Sequence, residues 1–147
     1  MIHNIYGGFH EWHKRAGGKR MTAKLADMIG VTMAEVSATK NGDVMRFTAQ
    51  DGRVWELSHS QNCCESVRIE DIVGNLQDLV GVPLFMAYES VNSQRDLAPQ
   101  YADSWTWTFY KFATVKGYVD VRWLGESNGY YSESVDFHQV RGRASHE

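Results

Sequence analysis

Between residues 105 and 137 the side chains change character at every second position. Trp105, Trp107 and Phe109 alternate with Thr106, Thr108 and Tyr110, and residues 118–124 resume the pattern after a glycine turn. A Glu-Ser-Asn-Gly turn, Glu126 to Gly129, then leads into Tyr130 and Tyr131. Successive residues of a strand point to opposite faces. Alternating aromatic and β-branched residues between Gly and Asn-Gly turns therefore dictate a twisted antiparallel sheet. One face of that sheet carries more ring surface than a small core consumes, which suits a protein that binds something flat.

Upstream, Asn41-Gly42 and Asp51-Gly52 stand between runs of strand-forming residues at 32–39, 44–49 and 53–59. Both dipeptides tolerate the positive φ angles of tight turns, so three consecutive antiparallel strands follow. Residues 84–90 read as a further strand, and 105–114, 118–124 and 130–137 as the last three. Two segments read as helical. Thr22 is placed to cap a short helix over 23–29, closed by Gly30. Ile69, Ile72, Val73, Leu76, Leu79 and Val80 fall on one helical stripe, with Glu70, Asp71, Asn75, Gln77 and Asp78 elsewhere on the wheel. The expected fold is α+β: a mostly antiparallel sheet of about seven strands with one main amphipathic helix packed on it.

A chain of 147 residues supports one domain with a real core. Residues 1–20 read as an N-terminal extension, 21–140 as a single α+β domain, and 141–147 as a frayed tail. The extension holds Phe9, Trp12 and a basic cluster, and residues 92–103, with Pro99, form the longest expected loop. Hydrophobic residues at 43% and charged residues at 22% exclude wholesale disorder. A net charge of −3 argues against a nucleic-acid polymer as partner, because such affinity rests on cations that neutralise phosphates. No run approaches the roughly 20 apolar residues that span a bilayer. The first 30 residues also lack the apolar stretch of a secretory signal, so a cytoplasmic protein without a membrane partner is expected.

Chemistry-bearing residues are densest at His59, Cys63, Cys64, Glu65, Glu70 and Asp71. Two adjacent cysteines do not reach one tetrahedral ion together, and no second Cys or His pair stands at ligand spacing, so no metal is expected. In a reducing compartment both thiols stay free. Cys64 with His59 would be the thiol and base of a small hydrolase, but Cys64 reads better as a space-filling residue at a sharp corner. No Walker, Gly-x-Gly-x-x-Gly, His-Glu-x-x-His or Gly-x-Ser-x-Gly pattern occurs, so neither a catalytic residue nor a cofactor is assigned. The candidate ligand-binding set is Arg68, Trp107, Arg122, Trp123, Asn128, Tyr130 and Tyr131. The rings would stack on a planar group, Arg68 and Arg122 would read anionic or amide-bearing groups, and Asn128 also suits the turn with Gly129. Were Trp105, Trp107 and Phe109 to fill the core, Tyr110 and Phe112 would lie on the opposite face.

The segment Ser58-His59-Ser60-Gln61-Asn62-Cys63-Cys64-Glu65-Ser66-Val67, with Ile69-Glu70-Asp71-Ile72 and Gly74-Asn75-Leu76 after it, resembles a family of small phage and prophage domains without an assigned activity. Trp105 to Tyr110 and Gly125 to Ser132 resemble the same family, over residues 22–137 in all. The resemblance implies a β-hairpin, a Cys-Cys corner, a short helix and further strands. In that setting the expectation is a non-catalytic protein of the host cytoplasm that counters host defence. It would sequester a small nucleotide-like signal at a subunit interface of a homo-oligomer, by fold-level analogy with phage sponges. The alternatives are inhibition of a host protein through the N-terminal arm and the cysteine hydrolase.

Overall fold

The expected turns at Asn41-Gly42 and Asp51-Gly52 form, with Asn41 at φ 68° and Gly52 at φ 96°. They join three consecutive antiparallel strands, 33–37, 44–49 and 54–58, in a computed structural model that describes residues 19–92 and 103–141. Among the described residues the strands are β1 (Lys19–Thr22), β2 (Met33–Ser37), β3 (Val44–Ala49), β4 (Val54–Ser58), β5 (Ser66–Val73), β6 (Met86–Asn92), β7 (Ser104–Thr114), β8 (Gly117–Ser127) and β9 (Asp136–Arg141). They build two antiparallel sheets, of order β1-β9-β4-β3-β2 and β5-β8-β7-β6.

The sheets pack face to face. Met45 and Phe47 of β3 and Trp55 and Leu57 of β4 meet Ile69, Tyr110, Phe112, Val121 and Trp123 from the other sheet in one buried cluster. Phe47 and Phe112 touch edge to face across the interface, with ring centroids 4.9 Å apart. A buried indole such as Trp55 or Trp123 removes roughly 150–250 Å² from water, on the order of 4–6 kcal/mol before conformational entropy is set against it. This core outweighs any local helical preference.

The α+β expectation is therefore wrong, and the reason lies in β5. Residues 66–73 are strand, and no amphipathic helix runs through 69–80. The register reads Ile69↔Trp123, Asp71↔Arg122 and Ile72↔Val121, so Glu70 is an extra residue in a β-bulge. The bulge brings Ile69 and Ile72 to the same inward face although they are three apart. Leu76–Leu79 then forms a 3-10 turn, in which three residues again complete one turn. Bulge and turn together imitate a helical stripe. The second expected helix is likewise only a 3-10 turn, Leu25–Met28; its N-cap position is Lys24, and Thr22 ends β1. Residues 130–137 are mostly loop, with the last strand starting at Asp136.

β1 also pairs with β9, so Lys19 and Arg20, placed with the extension on sequence grounds, belong to the larger sheet. Residues 1–18 with Phe9 and Trp12, the Pro99 stretch at 93–102, and the tail at 142–147 lie outside the described residues.

Candidate functional site

Strand alternation sorts the smaller sheet into two faces. On β7, Tyr110 and Phe112 point into the core, while Trp105, Trp107 and Phe109 share the outer face. This is the opposite of the placement in which the tryptophans fill the core. On β8, Val119, Val121 and Trp123 are buried inward, and Tyr118, Asp120 and Arg122 point outward. Cross-strand pairing sets Arg122 opposite Phe109 and Lys111 opposite Asp120, and β6 adds Tyr88 opposite Lys111.

A cleft of about 270 Å³ lies on this outer face, lined by Phe109, Tyr88, Val73, Lys111, Asp120 and Arg122 among others. Its floor is apolar and its rim is charged. Tyr88 is 61% exposed and Val73 55%. Arg122 donates through Nε to Glu70 at 2.7 Å, stands 4.0 Å from Asp71, and places its guanidinium 5.3 Å from the centre of the Trp107 ring. Lys111 sits 3.5 Å from Asp120 and 4.5 Å from the centre of the Tyr118 ring. The bulge at Glu70 is what brings a carboxylate within reach of Arg122. A flat group entering the cleft meets a phenyl floor with a tyrosine on one side and an arginine on the other. An anionic substituent would take the place of the carboxylates now on Lys111 or Arg122.

The residues singled out from the sequence separate. Arg122 lines the cleft and Trp107, 8% exposed, supports it from the outer face. Arg68 is on the same face but away from the cleft lining, bonded to Glu126 at 2.7 Å and to Ser66 Oγ at 3.1 Å. Trp123 is fully buried between the sheets, so it forms no part of an accessible wall. Asn128 makes the turn, accepting from the Tyr130 amide at 2.9 Å. Tyr130, 82% exposed, and Tyr131 stack edge to face at 5.0 Å in the loop after β8, apart from the cleft lining. Phe109, Tyr88, Lys111 and Asp120 were missed. Parity along 105–114 already separates Phe109 from Tyr110, but the β6–β7 pairing that sets Tyr88 beside Lys111 leaves no local trace.

The cysteine corner is built differently from a thiol site. Cys63 and Cys64 are joined in a disulfide, which corrects the expectation of two free thiols and leaves Cys64 no nucleophile in this state. Glu65 organises the corner, accepting from His59 Nε2 at 2.7 Å, the Asn62 amide at 2.8 Å and the Cys63 amide at 2.9 Å. The His59 hydrogen bond, with those amides, holds the Glu65 carboxyl down at about 2. His59 Nδ1 lies 2.7 Å from the Ser134 carbonyl oxygen. The two chain crossings between the sheets, 59–65 and 128–135, are thereby tied to each other. Among the described residues no group of three or more His, Cys, Asp or Glu is arranged to hold a metal ion.

A second, broader depression of about 630 Å³ is lined by Arg20, Lys24, Glu89, Asp136 and His138 among others. Tyr110 donates to Glu89 there at 2.5 Å, so the hydroxyl joins the core to this rim. It sets opposed charges beside the rings of Phe137 and His138.

A family model described as a domain of unknown function, DUF7448, matches residues 26–137. The chain belongs to that family. The match spans both sheets except for β1 and most of β9, so the cleft lies wholly within it. No curated protein and no solved structure matches the chain. Among the described residues no helix is long and apolar enough to cross a membrane.

Proposed function

We propose that this chain is a non-catalytic binding protein that holds a small, planar, nucleotide-like molecule in the cleft over Phe109. The observation that carries the reading is the outer face itself. A sheet of this size needs one apolar face for its core, yet this one sets Phe109, Tyr88 and Arg122 around a concavity on the other. Small-molecule sites are concave, mostly apolar and trimmed with a few convergent polar groups, which describes this cleft. Stacking on an aromatic side chain contributes about 1–3 kcal/mol per base. Arg122 adds a planar, bidentate donor that a ligand carboxylate or phosphate can engage once Glu70 gives way.

The resemblance at residues 58–67 and 105–110 extends the proposal to a phage setting. There the protein would act inside the host cell and counter host defence by sequestering a signalling nucleotide.

The experiment is recovery of the ligand. Protein purified from producing cells is released by heat and the supernatant is read by mass spectrometry, in parallel with Phe109→Ala and Arg122→Gln. A chemically intact nucleotide-like molecule from the native protein, depleted about 5- to 150-fold in Phe109→Ala, is the expected result. Recovery of nothing planar, or equal recovery from both variants, rejects the cleft as the site. Recovery of a chemically altered molecule rejects the non-catalytic reading.

A further inference from the structure

Among the described residues four strands end the two sheets, and three of them are blunted against further pairing. β1 carries Lys19 and Arg20 among its four described residues. β2 has a register shift between Met33 and Glu35. β5 has the bulge at Glu70, with Arg68 and Asp71 beside it. Short length, charge and bulges are the means by which edges avoid templating another strand. β6 has none of them. It runs for seven residues in unbroken register with β7 and contains no Lys, Arg or Pro. Its one charged side chain, Glu89, accepts the Tyr110 hydroxyl on the inward face. Large apolar groups instead stand open along it: Phe85 at 55% exposure, Met86 at 38%, Tyr88 at 61% and Val91 at 61%.

We propose that β6 pairs antiparallel with β6 of a second copy of this chain, across a twofold axis through Tyr88, merging the two smaller sheets into one of eight strands. The register is set by chemistry. Side chains opposite each other must share a face, so the axis falls on a residue. An axis on Glu89 sets two carboxylates against each other, which like charges disfavour. An axis on Ser90 sets the Glu89 carboxylate against the apolar Val91, and an axis on Ala87 sets it against Phe85. The axis on Tyr88 sets Phe85 against Val91, Met86 against Ser90, Ala87 against Glu89 and Tyr88 against Tyr88 of the partner subunit. Every exposed apolar residue of the segment then meets an apolar or uncharged one from the same short stretch. Such self-complementarity is what an isologous contact requires, and it selects a second copy over an unrelated strand. The pairing carries the outer face across the axis and sets two clefts side by side, with a Tyr88 on each rim. It goes beyond the ligand reading and does not depend on it.

Sedimentation of the full chain at micromolar concentration tests the pairing. The expected mass is twice 16.7 kDa. Tyr88→Lys, which puts two ammonium groups on the axis, is expected to halve it. Val115→Lys, at an 81% exposed position in the β7–β8 turn, is expected to leave the dimer intact. A monomeric native protein overturns the proposal, as does a dimer that survives Tyr88→Lys. Should that variant fail to fold, Tyr88→Cys is expected to form an interchain disulfide on oxidation and Val91→Cys is not; the reverse pattern overturns the register. A monomer that still carries ligand refutes the pairing alone, and an empty dimer refutes the ligand reading alone.

Discussion

Replacing Gly125 by Ala tests how tightly the second chain crossing sits on the sheet. Gly125 lies on β8 beneath the loop 128–135. An ideal Cβ there stands 2.8 Å from Glu133 Cβ and overlaps the Glu133 carbonyl oxygen. Backbone cannot swing aside as the end of a long side chain can, so the loop must lift. Forcing extra volume into such packing costs about 1–3 kcal/mol. Lifting also strains the buried Glu133 carboxylate, which accepts from Thr106 Oγ1 at 2.8 Å and Ser127 Oγ at 2.5 Å. Loss of one hydrogen bond to a charged group adds about 1.5–3 kcal/mol. The expected loss is about 2.5–6 kcal/mol, which at about 3 °C per kcal/mol lowers Tm by about 8–18 °C. Urea unfolding followed by tryptophan fluorescence reads it, since Trp55 and Trp123 are fully buried. Gly129→Ala is the control. Its nearest neighbour is Ser104 Cβ at 3.9 Å, so only the positive φ of 94° is penalised, by about 1–2 kcal/mol. A loss below about 0.5 kcal/mol for Gly125→Ala, or one smaller than the control's, refutes the close approach as a determinant of the fold.

Two titrations follow from buried hydrogen bonds. Glu65 is held at about 2 in the folded chain against an ordinary value of 4.5, so its contribution is complete above pH 4.5 and is lost as pH falls toward about 2. Glu65→Gln is expected to flatten that part of the stability profile, read as urea midpoints between pH 2 and pH 6; an unchanged acid limb contradicts it. Burial, and then the Glu89 carboxylate, push the Tyr110 hydroxyl well above its usual 10.0. The unfolded chain releases that proton above pH 10 while the folded chain keeps it, so stability falls as pH rises through 10. Tyr110→Phe is expected to remove this alkaline dependence at a cost of about 1 kcal/mol near neutral pH, and a retained alkaline limb would assign the effect elsewhere.

The antiparallel strands were readable where local chemistry decides conformation. Asn41-Gly42 and Asp51-Gly52 accept positive φ whatever lies around them, and the alternation from Trp105 to Tyr110 belongs to a strand in any context. Residues 69–80 misled because hydrophobic spacing reports which positions are inward without saying how the chain gets them there. A bulge at Glu70 and a 3-10 turn at Leu76–Leu79 give the same three-residue spacing as a helix. The candidate site divides along the same line. That the aromatic strand has two unlike faces is written in residues 105–112, since parity is local. Which face turns inward is not, because it depends on Phe47 arriving from a strand some sixty residues earlier to meet Phe112. That distant contact buries Trp123 and leaves Phe109 outside. The union of Phe109, Tyr88, Arg122 and Glu70 likewise needs four strands in register, and register is settled by which side chains can be buried together.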